Sequence, residues 1–151
     1  GVAEKIQPIL QADLAEYEKK GKFLSDTLKL LSPFILPNKP EGAFYLFPNF
    51  ANILKLKYLN ETLNIKTDKE LSRWLLHEKG VATLAGSDFG NGGAGYIRFS
   101  YAEDRNNHII PGVKYLLKII IELIEKSGEK TPLAIAEVDE KIKLLEEKYF
   151  G

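Results

Sequence analysis

Apolar residues recur at spacings of three and four along the first 31 residues of the chain. This spacing is the period of an amphipathic helix, whose apolar stripe faces the core of the protein. Ser32 and Pro33 end the pattern, because the residue before a proline is disfavoured in a helix. The stripe consists of Ile6, Ile9, Leu10, Leu14, Tyr17, Phe23, Leu24, Leu28 and Leu31. We therefore expect a long N-terminal helix over residues 1–31.

Three later stretches also have helical periodicity. Thr67 and Glu70 have the spacing of a capping box, in which each side chain accepts a hydrogen bond from the other residue's backbone N–H, and they predict a helix over residues 67–79. Pro111 suits the first turn of a helix, where its missing N–H costs little, and apolar residues follow it at helical spacing. A last helix is predicted over residues 131–149.

Short apolar runs bounded by turn residues indicate strands between these helices. The four predicted strands cover residues 34–36, 43–47, 81–84 and 95–101. Residues 50–64 are ambiguous and favour a helix with an irregular end. The order of elements predicts an α+β fold, with a small mixed or antiparallel sheet of about four short strands. Helices pack on this sheet, and the chain carries a long N-terminal helix and an added C-terminal helix.

Composition excludes several classes of function. The 151 residues suffice for one domain with a real core, and Lys+Arg and Asp+Glu are both 21, so no bulk field attracts nucleic acid or an anionic membrane. The most apolar run, residues 115–124, is too short to cross a bilayer. The absence of cysteine excludes disulfides and thiolate metal sites and fits a cytoplasmic location. We expect no nucleic-acid partner and no membrane partner.

Few side chains are candidates for catalysis or metal binding. His77 and His108 are the two histidines of the chain, and they are too few and too distant in sequence to predict a zinc site. Residues 127–130 spell S-x-x-K, but nothing apolar surrounds Lys130, so a solvated turn is the better interpretation. The carboxylates are scattered, and no pair suggests acid–base catalysis. We expect no catalytic residue and no metal ligand in this chain.

Residues 90–95 match the dinucleotide-binding pattern G-x-G-x-x-G. That pattern needs a strand before it and a helix directly after it, so that the helix N-terminus faces a pyrophosphate. Here the glycines follow a loop and lead into a predicted strand. Backbone flexibility or the close approach of a ligand is the better interpretation.

Arg98 lies between Ile97 and Phe99 in the last predicted strand. An arginine in an apolar strand needs an anionic partner, because an unpaired charge away from water is costly. One interpretation is a salt bridge to Glu103, Asp104 or another acid. The other is a substrate carboxylate, which a guanidinium can bind with two parallel hydrogen bonds.

Four segments together resemble a known family. They are residues 40–47 (PEGAFYLF), 76–82 (LHEKGVA), 86–90 (GSDFG) and 95–102 (GYIRFSYA), in that order. This succession resembles the C-terminal small domain of class I/II pyridoxal-phosphate aminotransferases of the aspartate aminotransferase type. The resemblance covers about residues 3–126. Residues 52–66 look like an insertion relative to that family.

The resemblance implies roles for three residues. Arg98 occupies the position of the arginine that binds the substrate α-carboxylate. Phe89 matches a phenylalanine that lies near the substrate, and Gly42 belongs to a segment that moves toward the active site when the small domain closes. The implied boundaries are a small domain over residues 1–127, which includes the linking helix, and an appended helix over residues 131–150.

The resemblance also implies what must lie outside this chain. The lysine that holds pyridoxal 5'-phosphate and the groups that bind its ring and phosphate belong to the family's large domain, and no motif here matches them. We therefore expect no bound cofactor in this chain alone, and a large domain in the same or a separate chain. The implied substrates are an amino acid and a 2-oxo acid, and the implied full enzyme is a homodimer. Because Gly1 begins a chain without methionine, we expect a processed or excised piece.

Two alternatives to an inactive aminotransferase fragment remain open at this point. The chain could be a stand-alone regulatory or binding domain that holds a small carboxylate through the same arginine and does no chemistry. It could also be a structural piece whose active form needs a separate large-domain chain.

Overall fold

The computed structural model describes residues 2–37, 45–101 and 103–151. These residues form four α-helices and three β-strands in the order α1, β1, α2, β2, β3, α3 and α4. The bounds are Val2–Lys29 for α1, Tyr45–Leu46 for β1, Asp68–Lys79 for α2, Leu84–Ala85 for β2, Ile97–Ser100 for β3, Ile110–Lys126 for α3 and Val138–Phe150 for α4.

The sheet is antiparallel, and β3 lies at its centre between β1 and β2. Tyr45 pairs with Ser100 at the β1 edge, and Leu84 pairs with Arg98 at the β2 edge. The predicted α+β class is therefore confirmed. The number of strands differs, because the described residues form three strands and not four.

The predicted strand over residues 34–36 is wrong. The backbone N–H groups of Phe34 and Ile35 both donate to the carbonyl of Leu31, so these residues continue the turn that ends α1. Only Leu36 is free to pair, and it exchanges two backbone hydrogen bonds with Asn49. A single bridge therefore replaces the predicted strand, because the turn after α1 uses two of its three residues.

The start of α2 agrees with the sequence-based expectation. Thr67 accepts a hydrogen bond from the backbone N–H of Glu70, and the Glu70 carboxylate accepts one from the backbone N–H of Thr67, which completes the capping box. Gly80 ends the helix in the left-handed conformation with φ 68°, where a side chain would be strained. The helix therefore has well-defined ends, and its direction is fixed relative to β2.

Two other segments are less regular than the sequence suggests. Residues 50–64 contain a 3-10 turn over Ile53–Lys55 and a π-helical turn over Tyr58–Thr62 instead of one helix. The last helix begins at Val138. Before it, the Leu133 backbone N–H donates to the Thr131 hydroxyl and forms a local turn. A 3-10 turn over Ile135–Glu137 leads into it.

One continuous apolar core joins the sheet to α1, α3 and α4. The fully buried members with the largest side chains include Phe23, Leu28, Leu31, Leu46, Phe50, Ile97, Leu117, Val138 and Ile142. Because Val138 and Ile142 belong to this core, α4 is part of the same packed unit as the rest of the described chain.

No helix among the described residues is long and apolar enough to span a membrane.

The last turn of α4 is held against α1 by polar and aromatic contacts. The Tyr149 hydroxyl donates to the Asp26 carboxylate. The Phe150 ring lies 5.5 Å from the Phe23 ring, and the Arg105 guanidinium carbon lies 4.2 Å from the centre of the Phe150 ring. The C-terminal helix therefore packs against α1.

Candidate functional site

The candidate site lies on the outer face of the sheet. Side chains alternate between the two faces of a strand, so Ile97 and Phe99 face the core while Arg98 and Ser100 face outward. The register places Leu84 of β2 opposite Arg98, and Tyr45 of β1 opposite Ser100. The outer face therefore presents one charged side chain among apolar and aromatic neighbours.

Two aromatic rings flank the Arg98 guanidinium. Its central carbon lies 3.9 Å from the centre of the Tyr45 ring and 4.2 Å from the centre of the Phe89 ring. Both distances are within the range of cation–π contact. The structure thus brings Arg98 and Phe89 together, as the resemblance implies, and adds Tyr45 to them. These three side chains are named the arginine clamp.

The acids that sequence analysis named as partners of Arg98 do not pair with it. The Asp104 carboxylate accepts a hydrogen bond from the backbone N–H of Asn107 and so caps its own turn. Among the described residues, no carboxylate lies within 4.0 Å of the Arg98 guanidinium. Within these residues the salt-bridge interpretation is wrong for Glu103 and Asp104.

The geometry of the clamp suits a carboxylate ligand. The rings contact the guanidinium by cation–π interaction and use none of its N–H donors, because an aromatic ring attracts the cation without a hydrogen bond. The guanidinium carries five N–H donors in a rigid plane, and this arrangement matches the two oxygens of a carboxylate. The rings also limit rotation of the guanidinium, so less conformational entropy is lost when a ligand binds.

Phe89 is positioned by a turn that needs glycine at two places. Phe89 ends the 3-10 turn Gly86–Phe89, and its ring also meets the Phe47 ring edge-on at 5.7 Å. A Cβ on Gly86 would lie 2.2 Å from the Gly93 carbonyl oxygen, and a Cβ on Gly93 would lie 1.9 Å from the Gly86 carbonyl oxygen. The two backbones therefore pass each other at a distance that only glycine permits.

The pattern G-x-G-x-x-G lies in a different context from that of a dinucleotide-binding loop. Residues 90–95 form a 3-10 turn over Asn91–Gly93 and then lead into β3, and no helix follows them directly. The backbone N–H of Gly86 donates to the Tyr96 carbonyl at 2.7 Å, which ties the turn to the start of β3. Gly90 and Gly95 have positive φ angles of 125° and 86°, which glycine adopts without strain, so they serve the turns that lead into β3. The dinucleotide context is absent from this part of the chain.

The other described residues that sequence analysis singled out lie outside the clamp. Gly42 lies outside the described residues. His77 is exposed on α2, and His108 belongs to the π-helical turn Arg105–Ile109. The Ser127 hydroxyl donates to the Leu123 carbonyl and accepts from the Tyr58 backbone N–H, so it caps the end of α3.

The described residues contain no cluster of three or more histidine, cysteine, aspartate and glutamate side chains that could hold a metal ion. Directly after β3, Tyr101 is buried at 2% exposure, and this burial raises the pKa of its hydroxyl. Its hydroxyl therefore remains protonated at neutral pH.

Sequence reasoning missed Tyr45 as a site residue, although Tyr45 lies in the segment 40–47 on which the resemblance was based. The available signal was strand alternation, since Tyr45 precedes the buried Leu46 and so faces outward. Its pairing with the strand of Arg98 could not be read from the sequence, because the two residues are more than fifty positions apart.

No protein-family model matches the chain. The aspartate aminotransferase of Pyrococcus horikoshii is 33% identical over 94 residues, which are 62% of this chain and 21% of that protein. Aromatic-amino-acid aminotransferase 2 of Thermococcus litoralis is 35% identical over 88 residues, which are 58% of this chain and 19% of that protein. The chain therefore spans about a fifth of the length of the curated relatives it matches.

A solved structure of an aromatic aminotransferase from Pyrococcus horikoshii has a similar fold. Its TM-score is 0.52 and its sequence identity is 28%, and the match covers 74% of this chain and 25% of that chain. Sequence and structure comparisons thus agree on one class of protein.

Proposed function

The chain is homologous to aspartate and aromatic aminotransferases, and from this premise we propose that it is the small domain of an amino-acid aminotransferase. The full enzyme transfers an amino group between an amino acid and a 2-oxo acid. The part played by this chain is to bind the substrate α-carboxylate through Arg98. Its domain boundaries are residues 1–127 for the small domain, with the linking helix at 1–31, and 131–150 for the appended helix.

The observation that carries this proposal is the arginine clamp itself. Arg98 lies on the outer face of a rigid strand, its plane is flanked by Tyr45 and Phe89, and no described carboxylate pairs with it. A substrate carboxylate completes the charge pair that the described protein residues leave open. Holding a substrate in one orientation can lower a barrier by several kcal/mol, because the reacting groups no longer have to find each other in solution.

The cofactor is assigned to another part of the enzyme. The described rings in contact with Arg98 belong to Tyr45 and Phe89. They orient the guanidinium for a carboxylate but offer no amine and no acid for a pyridine nitrogen. Pyridoxal 5'-phosphate supplies the aldehyde and the electron-accepting ring of transamination when it is bound. We assign it to a large domain of the same or a separate chain, in a homodimeric full enzyme. The 151-residue chain alone is inactive in this proposal.

Calorimetric titration of the chain with L-aspartate and with 2-oxoglutarate tests the proposed role of Arg98. We expect weak saturable binding of both, lost in Arg98→Ala. Arg73→Ala is the matched control, because Arg73 is exposed on α2 and outside the clamp. Equal binding by wild type and Arg98→Ala would contradict the assignment.

The proposed need for a large domain is tested separately. The chain is incubated with pyridoxal 5'-phosphate, L-aspartate and 2-oxoglutarate, and glutamate formation is followed together with the visible absorbance of the cofactor. We expect no turnover. Sustained glutamate formation by the purified chain would overturn the claim of inactivity, while tight carboxylate binding without turnover would favour the stand-alone binding domain.

A further inference from the structure

Asp68 is a buried acid that the proposed function does not use. It is 5% exposed and lies in the first turn of α2. Its Oδ2 accepts a hydrogen bond from the Ser87 backbone N–H at 2.8 Å, and its Oδ1 accepts from the Ser87 hydroxyl at 3.0 Å and from the Lys69 backbone N–H at 2.9 Å. Two of these three bonds therefore join Asp68 to a residue 19 positions away.

Helix capping does not account for this arrangement. Thr67 is the N-cap of α2, and the reciprocal hydrogen bonds with Glu70 complete the capping box. Position 68 is a favourable place for a negative charge, because backbone N–H groups and the helix dipole face it. That preference explains why a carboxylate is tolerated there, but an exposed acid would satisfy it equally well. The distinctive feature is that both oxygens of a buried carboxylate hold Ser87.

Ser87 is the second residue of the turn that carries Phe89. This turn, Gly86–Phe89, is fixed on one side by the hydrogen bond from Gly86 to Tyr96 and by its close approach to Gly93. Asp68 fixes its other side. The Phe89 ring at the end of the turn is 48% exposed, so packing alone holds it weakly.

We propose that Asp68 is the positioning residue of the arginine clamp: through Ser87 it holds the turn that keeps the Phe89 ring against the Arg98 guanidinium. This inference rests on the proposed function, because it states that carboxylate binding at Arg98 of β3 depends on a contact from α2. Asp68 acts through Ser87 and Phe89 and does not contact Arg98 or the ligand.

The test uses the NMR signal of the Arg98 side-chain Nε–H in the ligand-free chain. An aromatic ring stacked on a guanidinium shifts this signal by its ring current, so Phe89→Leu defines the position of the signal without the Phe89 ring. We expect Asp68→Asn to move the Arg98 signal toward that position, because an amide cannot accept both hydrogen bonds from Ser87. Asp88→Asn is the matched control, since Asp88 lies in the same turn, is exposed and forms a salt bridge with Lys69.

Ser87→Ala removes only the hydroxyl donor, and we expect it to move the Arg98 signal in the same direction by a smaller amount. It also decides the question if Asp68→Asn does not fold. L-aspartate affinity should fall about two- to fivefold in Asp68→Asn, as expected for Phe89→Leu, because the freed Arg98 side chain must then be ordered when the ligand binds. An Arg98 signal that stays at its wild-type position in Ser87→Ala and in folded Asp68→Asn would overturn the proposal, as would an equal shift in Asp88→Asn.

The signal is measured without ligand, so the two proposals fail separately. A wild-type chain that binds no carboxylate contradicts the proposed function but leaves the Asp68 result standing. A wild-type chain that binds L-aspartate while Asp68→Asn leaves both the signal and the affinity unchanged contradicts only the role of Asp68.

Discussion

Replacing Arg98 by lysine is the most informative single change, because it keeps the positive charge and removes the planar fork. A guanidinium can offer a carboxylate two parallel hydrogen bonds, whereas an ammonium acts as a point charge. A hydrogen bond to a charged group contributes about 1.5–3 kcal/mol, and the lower end applies to a clamp that is open to water. We therefore expect Arg98→Lys to weaken L-aspartate binding about tenfold.

The aromatic rings add a second contribution to the same change. The guanidinium carbon lies 3.9 Å from the centre of the Tyr45 ring and 4.2 Å from the centre of the Phe89 ring. A lysine has no planar group that could stack on both rings. Each partly exposed cation–π contact is worth about 0.5–1 kcal/mol. Their loss mainly frees the side chain to rotate, which lowers affinity further.

Isothermal titration of wild type, Arg98→Lys and Arg73→Lys with L-aspartate at low salt measures these effects. Arg73→Lys should bind like wild type, because its side chain lies outside the clamp. Arg98→Lys with wild-type affinity would refute the reasoning, since charge alone would then account for binding and the fork and rings would be irrelevant.

Four further predictions concern the stability of the fold. Thr67→Ala should lower the free energy of unfolding by about 0.5–2 kcal/mol in urea denaturation, because it removes the cap of α2. Glu70→Gln should reduce the loss of unfolding free energy at acid pH. Backbone and side-chain hydrogen bonds hold the pKa of Glu70 below its ordinary value, so its contribution is present above the unfolded pKa and is lost as pH falls through the folded one. Gly86→Ala should cost about 1–3 kcal/mol by thermal unfolding, because its Cβ would overlap a neighbouring backbone, whereas Gly112→Ala, which has open space, should not destabilise. Tyr149→Phe should reduce the loss of unfolding free energy at alkaline pH in a series of denaturation curves. The hydrogen bond to the Asp26 carboxylate raises the pKa of Tyr149 above its ordinary value, so the stability that this tyrosine contributes is lost as pH rises through its folded pKa.

Local signals predicted much of the fold. The sequence predicted the capping box of Thr67 and Glu70 and the end of α2 at Gly80, because each depends on residues within a few positions of one another. The strand prediction over residues 34–36 failed although the competing contact is also local. The Leu31 carbonyl holds the next residues in a turn, and no pattern in the apolar run reveals this competition.

The site was predicted in part, from one chemical argument and from the family resemblance. Arg98 was singled out as a lone arginine in an apolar strand, Phe89 was named from a motif, and the structure brings them together. Tyr45 and Asp68 were not named, because their parts in the site depend on a strand pairing and on hydrogen bonds between distant segments. Side chains that support a site from another element leave no local pattern in a single sequence.

The most direct test of the central claim is to observe the arginine side chains while a carboxylate is added. The chain has three arginines, so its Nε–H spectrum contains Arg73, Arg98 and Arg105 as internal controls for one another. The account predicts that L-aspartate shifts the Arg98 signal saturably, while ethylamine, which has no carboxylate, leaves it in place. Equal shifts of all three signals, or an Arg98 signal that does not respond to L-aspartate, would contradict the proposal that this chain binds the substrate carboxylate.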